Sequence, residues 1–175
     1  MIKLFYPANY AESVFTLDYA ALYKTGYRAV IFDLDNTLVP HGEDTTPEVE
    51  KLIAEVQSLG FTVFLLSDNG VSRIERFLQN ISGVQYIDNA GKPKPKNYKK
   101  AVQIMGLPKE QVLYIGDQVF TDIIGANLAG LDSVLVKYIG YYDEGYKGKR
   151  RAAEAAILKK YKSSKHFNRL GNIER

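Results

Sequence analysis

Short hydrophobic segments alternate with amphipathic segments from about residue 27 to residue 137. The hydrophobic segments are rich in β-branched and aromatic residues, which is typical of strands, and the amphipathic segments have the spacing of helices. Since the strand segments carry few polar positions, we expect parallel strands that helices cover on both faces. The pattern therefore predicts an α/β fold, a three-layer α/β/α sandwich with a parallel Rossmann-like sheet.

Capping and turn residues set the element boundaries. Thr46 and Pro47 are typical of a helix start, and Gly60 lies beyond the end of the same helix. We predict strands at 28–32, 61–66, 84–87, 112–115 and 133–136, and helices at 16–24, 47–56, 71–78, 97–105, 121–129 and 149–162. We expect one domain over residues 1–175, with a core at about 27–137, a helical lead-in over 1–26 and a basic helix or tail over 147–175.

The composition is that of an ordinary soluble globular protein, with 175 residues of which 46% are hydrophobic and 25% charged. The absence of cysteine excludes thiol catalysis, thiolate metal sites and disulfides. No run approaches the roughly 20 apolar residues of a membrane span, and the first residues lack the apolar stretch of a signal peptide. The expected location is therefore the cytoplasm, with peripheral attachment to a membrane left open.

Charge is distributed unevenly along the chain. Residues 147–169 contain nine Lys or Arg and a single acid, Glu154, so this basic tail carries +8 of a total net charge of only +3. Since Glu174 and Arg175 cancel, residues 1–146 carry −5. The basic tail could attract an anionic membrane or RNA, although a solvated helix explains it equally well.

Two acids follow the first strand of the predicted sheet. Asp33 and Asp35 lie at positions i and i+2, which in extended chain point to the same side of the backbone. Like charges so close together are costly unless a cation or a proton relieves them. The pair therefore indicates a divalent metal site or a nucleophile beside a proton donor, while a solvated turn is the ordinary alternative.

Other polar residues follow further strands of the same sheet. Ser67 ends the second strand, Lys92 lies in a stretch stiffened by prolines, and Asp117 and Asp122 follow the fourth strand. Each alone has an ordinary explanation as a turn serine, a surface lysine or a helix-capping acid. Parallel sheets, however, place their reactive groups beyond the carboxyl ends of their strands. Together these residues suit Mg²⁺-assisted phosphoryl transfer.

The order of these residues resembles the four motifs of the haloacid dehalogenase superfamily. The matching segments are Asp33-x-Asp35-x-Thr37, Ser67, Lys92-Pro93-x-Pro95 and Gly116-Asp117-x4-Asp122. The form Asp-Leu-Asp-Asn-Thr-Leu of the first motif, with short segments between motifs, is similar to the subclass IIIA phosphatases of the YqeG type. Those phosphatases are similar in turn to mitochondrial phosphatidylglycerophosphatases.

The resemblance implies a role for each matching residue. Asp33 would be the nucleophile that forms an aspartyl-phosphate, and Asp35 would be the general acid and later the base. Mg²⁺ would be held by Asp33, the backbone carbonyl of Asp35, Asp117 and Asp122. Ser67 and Lys92, with Asn69 in support, would bind the phosphoryl oxygens, Lys92 being preferred over Lys94 by its position in the motif. His41 and His166 are predicted to be ordinary loop and tail residues.

The short segments between motifs leave no room for a cap domain. Residues 38–66 are taken up by one helix and one strand, and residues 67–92 by a helix and a short strand. An open site cannot enclose a small metabolite, so we expect a large substrate, a membrane surface or a partner chain to complete it.

The predicted function is Mg²⁺-dependent hydrolysis of a phosphomonoester, with phosphatidylglycerophosphate or another large or lipid-linked phosphate as the leading substrate. One alternative is a nucleotide or protein phosphatase with the same site. A second is a scaffold that binds RNA, a ribosomal surface or a membrane and whose site is vestigial. A third is a receiver-like protein that stores the aspartyl-phosphate. Association into a homo-oligomer stays open.

Overall fold

The computed structural model describes residues 2–140 and 146–175, and side chains over residues 3–140 and 148–175. Within the described residues, six parallel strands form one sheet in the order β1-β6-β5-β2-β3-β4. The strands are β1 (Asn9–Ala11), β2 (Ala29–Phe32), β3 (Thr62–Leu66), β4 (Gln85–Ile87), β5 (Val112–Gly116) and β6 (Asp132–Val136).

Capping residues mark the ends of several of the helices. They are α1 (Tyr19–Lys24), α2 (Pro47–Ser58), α3 (Val71–Phe77), α4 (Pro95–Met105), α5 (Ile124–Ala129) and α6 (Tyr146–Lys162). The hydroxyl of Thr46 accepts a hydrogen bond from the backbone N–H of Val49 at 3.4 Å, which caps α2. Helix α4 ends at Gly106, whose φ of 66° is the left-handed conformation that glycine adopts without strain.

Alternate residues of each central strand pack on opposite faces of the sheet. On one face, Val30 and Phe32 belong to a core cluster completed by residues of α1, α2 and α3. On the other face, Ile31 packs in a second cluster with Tyr98 of α4 and Ala126 of α5. The strands are buried on both faces, so the predicted α/β/α sandwich is confirmed.

The amino-terminal segment differs from the predicted helical lead-in. It contains a 3₁₀ turn at Ile2–Phe5 and the edge strand β1 before the short helix α1. The helix predicted at 16–24 begins only at Tyr19, because the carboxylate of Asp18 accepts a hydrogen bond from Ala21 N at 2.9 Å and caps it there. A strand of three residues is too short to show a hydrophobic alternation, which is why the sequence pattern missed β1.

The helix predicted at 121–129 is in fact two elements. A π-helical turn over Val119–Ile123 precedes α5. The other predicted strands and helices lie within a few residues of the observed ones.

No cap domain interrupts the chain between the predicted motifs. Residues 33–92 are all described, and they contain α2, β3, α3 and β4 with short connections. The sheet edge that carries the motifs is therefore not covered by an inserted domain. In the part of the chain that the structure describes, no helix is long and apolar enough to cross a bilayer.

The carboxyl-terminal residues pack back against the edge of the sheet. The buried side chain of Asn9 in β1 donates a hydrogen bond to the carbonyl of Gly171 at 2.7 Å and accepts one from Leu170 N at 2.8 Å. Tyr161 and Ile173 are also buried. The carboxyl-terminal residues therefore pack against the edge strand β1. The high charge of the basic tail did not indicate this packing.

We expect Asn9→Ala to lower the free energy of unfolding by about 1 to 3 kcal/mol, because it removes two part-buried hydrogen bonds between the buried Asn9 side chain and the backbone of the carboxyl-terminal segment. Urea unfolding followed by circular dichroism measures the change. The matched control is Asn80→Ala, an exposed asparagine, for which a change within about 0.5 kcal/mol is expected. Equal effects of the two substitutions would contradict the structural role of Asn9.

Candidate active site

The register of the sheet brings the first and fourth motifs side by side. Strands β2 and β5 are neighbours, and Phe32 at the end of β2 lies beside Ile115 in β5. The backbone N–H of Asp33 donates to the carbonyl of Ile115 at 2.9 Å. Asp33 and Asp117 therefore leave adjacent strands at the same edge, as the positions of the motifs predicted.

Three buried carboxylates converge at this edge and form what we call the carboxylate cluster: Asp33, Asp117 and Asp122. One oxygen of each lies within 4.8 Å of the others. The hydroxyl of Thr37 links two of them, at 3.1 Å from Asp117 Oδ1 and 3.5 Å from Asp33 Oδ2. Mg²⁺ prefers such oxygen ligands, so the donor set fits a hard divalent cation.

Lys92 is the ammonium that contacts the carboxylate cluster. Its Nζ lies 2.6 Å from Asp33 Oδ1 and 2.8 Å from Asp122 Oδ1, and its side chain is only 4% exposed. Lys94, the other lysine of the motif, is exposed. The structure therefore brings Lys92 rather than Lys94 to the site.

Asp122 is held by residues that have no part in the family motifs. Its Oδ1 accepts a hydrogen bond from the Tyr114 hydroxyl at 2.9 Å, and its Oδ2 accepts one from Gln118 N at 2.9 Å. Gly116 allows the close approach, since a Cβ there would lie 2.5 Å from Asp122 Cγ. The close packing of Asp122 therefore requires the glycine of the fourth motif.

Burial and repulsion from neighbouring carboxylates make Asp33 and Asp117 hard to ionise. Burial raises the pKa of Asp33 well above its ordinary value; Lys92 opposes the shift, and the charges of Asp122 and Asp117 add to it. Burial and Asp122 raise the pKa of Asp117 to about 6, against the opposing charge of Arg151. A bound cation would relieve this repulsion, which is a second reason why the cluster fits one.

Asp35 does not join the carboxylate cluster through its side chain. Its Oδ2 accepts a hydrogen bond from Asn69 Nδ2 at 2.9 Å and lies 3.0 Å from His41 Nδ1, while its Oδ1 lies 3.0 Å from Arg73 Nη2. The sequence analysis expected Asp35 to bind the metal through its backbone carbonyl. The side-chain contacts do not test that expectation, which stays a prediction. His41, predicted to be an ordinary loop residue, is at the site.

A chain of hydrogen bonds joins the second motif to Asp35. The buried hydroxyl of Ser67 accepts from the backbone N–H of Asn69 at 3.2 Å and from its Nδ2 at 2.8 Å, and the same Nδ2 reaches Asp35. The residues predicted to bind phosphate thus fall in two places, Lys92 at the carboxylate cluster and Ser67 with Asn69 beside Asp35.

Arg151 of α6 is a site residue that the sequence reasoning assigned to the basic tail. Its Nη1 donates to the backbone carbonyl of Asp117 at 2.9 Å, and its Nη2 contacts Asp117 Oδ2. Its guanidinium carbon lies 4.3 Å from the centre of the Tyr138 ring. Glu154, the single acid of the basic tail, follows one helical turn later and is the sequence signal that could have distinguished Arg151 from the other cations.

Comparison with known proteins agrees with this geometry. The family model of haloacid dehalogenase-like hydrolases matches residues 41–130. A Bacillus subtilis (strain 168) protein named "Probable phosphatase YqeG" is 32% identical over 166 residues, which cover 94% of this chain and 96% of that protein. The chain belongs to the haloacid dehalogenase-like hydrolase family. It is a phosphatase of that family.

More distant similarities of this haloacid dehalogenase-like hydrolase are to a plant phosphatase in sequence and to a bacterial hydrolase in fold. The chloroplastic/mitochondrial phosphatidylglycerophosphate phosphatase 1 of Arabidopsis thaliana is 23% identical over 155 residues, covering 83% of this chain but only 44% of that protein. A haloacid dehalogenase-like family hydrolase from Streptococcus pneumoniae is similar in fold, with a TM-score of 0.56 and 16% identity over 78% of this chain and 91% of that one.

The raised pKa of Asp117 predicts how the stability of this hydrolase depends on pH without divalent cations. The folded protein keeps a proton on Asp117 up to a pH of about 6, whereas the unfolded chain releases it near pH ~4. The folded state therefore binds more protons in that window, and the wild type loses stability as the pH rises through it.

Asp117→Asn cannot titrate, so its free energy of unfolding should increase relative to the wild type by up to about 3 kcal/mol between about pH 4 and pH 7. Urea unfolding in EDTA at several pH values measures this difference. The exposed Glu110→Gln variant, which makes the same kind of change far from the site, should show a constant difference from the wild type. A constant or falling difference for Asp117→Asn would contradict the pKa assignment.

Proposed function

We propose that the protein is a Mg²⁺-dependent phosphomonoester hydrolase that works through an aspartyl-phosphate on Asp33. The observation that carries the proposal is the contact of Lys92 with Asp33, a member of the carboxylate cluster. Asp35, two positions along the chain, has a separate set of hydrogen-bond partners. A carboxylate nucleophile, an ammonium for the phosphoryl oxygens and a separate proton carrier are the groups that this chemistry needs.

In the first half of the reaction, a carboxylate oxygen of Asp33 forms a bond to phosphorus as the ester P–O bond breaks. The electron pair of the broken bond stays on the leaving oxygen, which takes a proton from Asp35 and departs as an alcohol. Lys92, held 2.6 Å from the nucleophile, donates to a phosphoryl oxygen and offsets its charge.

In the second half, a water molecule attacks phosphorus while Asp35 removes a proton from it. The bond between phosphorus and the oxygen of Asp33 breaks, and the electron pair returns to the Asp33 carboxylate. Inorganic phosphate leaves, and Asp35 holds the proton that the next cycle needs. A proton-carrying acid beside the nucleophile favours turnover over storage of the phosphate, which distinguishes this proposal from a receiver-like protein.

The cation would be held by Asp33, Asp117, the backbone carbonyl of Asp35 and Asp122. When bound, it supplies positive charge that offsets repulsion between the carboxylates and the phosphoryl group. Ser67 and Asn69 would contribute donors to the phosphoryl oxygens from the opposite side, in addition to Lys92. The raised pKa values of Asp33 and Asp117 support this assignment, because burial and repulsion from the neighbouring carboxylates disfavour their charged forms and a cation would relieve the repulsion.

For the substrate we propose a large or lipid-linked phosphomonoester such as phosphatidylglycerophosphate. The uncapped sheet edge supports this, because an open site suits a reacting phosphate on a large molecule. The similarity to the Arabidopsis phosphatidylglycerophosphate phosphatase supports it as well. A nucleotide or protein phosphatase with the same site is the alternative that a substrate panel distinguishes.

The exposed part of the basic tail supports a peripheral contact with an anionic membrane, from a cytoplasmic location. Lys149, Lys159, Lys160 and Lys162 of α6 are exposed. Lysines so placed would attract anionic headgroups or RNA phosphates. The formation of a charged, hydrogen-bonded site argues against the scaffold alternative, in which the site would be vestigial.

We expect Asp33→Asn to lose turnover by on the order of a thousandfold or more on every phosphomonoester that the wild type hydrolyses, since the amide cannot act as the nucleophile. Release of inorganic phosphate from a panel of soluble and lipid phosphomonoesters, with Mg²⁺ and with EDTA, measures the loss. Glu110→Gln is the control and should retain wild-type turnover.

Preference for the lipid substrates would support the proposed substrate class. Undiminished turnover by a folded Asp33→Asn variant would remove Asp33 from the mechanism. Wild-type turnover that is equal in Mg²⁺ and EDTA would remove the cation.

A further inference from the structure

Arg151 reaches the site from an element that lies far from the family motifs in sequence. Its side chain is 16% exposed and contacts both the carboxylate and the backbone carbonyl of Asp117. Asp117 in turn belongs to the carboxylate cluster that contains the proposed nucleophile. The guanidinium of Arg151 therefore lies beside one carboxylate of the cluster that would hold the cation.

The position of Arg151 is fixed from two sides. Glu154, buried one turn later in α6, lies 3.1 Å from Arg151 Nη1 through its Oε2 and accepts a hydrogen bond from Phe120 N at 3.2 Å through its Oε1. The ring of Tyr138 packs against the guanidinium. Arg151 and Glu154 therefore dock α6 onto the loop that carries the fourth motif, and the arginine is not a solvated member of the basic tail.

The charge of Arg151 affects which ligands the site binds. Among the described residues, the cations that contact the four predicted site carboxylates include Lys92, Arg73 and Arg151. A phosphomonoester adds between one and two further negative charges near neutral pH. Arg151 therefore favours a bound phosphate and, because it occupies Asp117, opposes a bound divalent cation.

We propose that Arg151 competes with the divalent cation for Asp117 and that its positive charge, through Asp117, favours binding of the phosphate group. This inference rests on the proposed phosphatase function. It gives helix α6, which lies outside the four motifs, a role in ligand binding. Through Arg151, the helix weakens cation binding before the substrate arrives and strengthens substrate binding afterwards.

The two effects have opposite signs, which separates them from a purely structural role. Arg151→Gln should bind Mg²⁺ roughly three- to tenfold more tightly than the wild type, since one positive charge is removed beside a cation ligand. The same variant should bind inorganic phosphate, in saturating Mg²⁺, roughly tenfold more weakly, since one positive charge beside the site is lost. Damage to the loop alone would weaken both.

Isothermal titration calorimetry measures both dissociation constants on the full chain, with Mg²⁺ alone and then with inorganic phosphate as the probes. Lys160→Gln is the matched control, because it removes the same charge from an exposed position of the same helix, and it should leave both constants unchanged. Arg151→Lys should restore part of the phosphate affinity. Circular dichroism verifies that each variant is folded.

Weaker binding of both ligands by Arg151→Gln, or unchanged binding of both, would overturn the inference and leave the proposed function intact. An equal effect of Lys160→Gln would also overturn it, because the effect would then come from the net charge of α6. A wild type that binds neither Mg²⁺ nor phosphate would instead overturn the proposed function and, with it, this inference.

Discussion

The burial of like charges at one edge of the sheet is the constraint on which the rest of the site depends. Asp33, Asp117 and Asp122 are close enough to share one ion and are shielded from the water that would otherwise stabilise their charges. Their repulsion is offset in part by Lys92, which contacts Asp33 and Asp122, and by Arg151, which contacts Asp117. The remaining repulsion favours further positive charge at this position, which in the proposed mechanism a divalent cation would supply.

The fold creates this arrangement with ordinary elements of a parallel sheet. Strands β2 and β5 are adjacent and in register, so the residues that follow them meet without any special loop. Gly116 lets Asp122 approach the backbone, and Tyr114 holds it there from inside the core. The carboxylates are therefore positioned by a well-packed sheet, which limits how far they can separate to relieve their repulsion.

The sequence was sufficient to predict the residues whose positions follow from sheet topology. Asp33, Asp117 and Lys92 lie beyond the carboxyl ends of strands or in a proline-stiffened turn, and that placement is a property of parallel sheets in general. The edge strand β1 was missed because three residues carry no periodic signal. Arg151 and Arg73 were missed for a different reason: each reaches the site from a helix, and its contact depends on how that helix packs rather than on any local pattern.

His41 is another residue near the site that the sequence motifs did not identify. It has no partner at metal-ligand spacing in the sequence, yet its Nδ1 lies 3.0 Å from Asp35, because the loop after the first motif folds back over the site. Long polar side chains that reach the site from flanking elements are thus the part of the site that the motifs leave out. Because no inserted domain covers this edge of the sheet, we expect these side chains to form the surface that meets the substrate beyond its phosphate.

The central claim is that Asp33, Asp117 and Asp122 together bind one divalent cation. Anomalous diffraction from crystals soaked with Mn²⁺, a cation that takes the same oxygen ligands and has a measurable anomalous signal, tests it most directly. The account predicts one strong peak within bonding distance of Asp33 and Asp117. A peak elsewhere in the molecule, or none at this site when the soaked protein is folded, would contradict it.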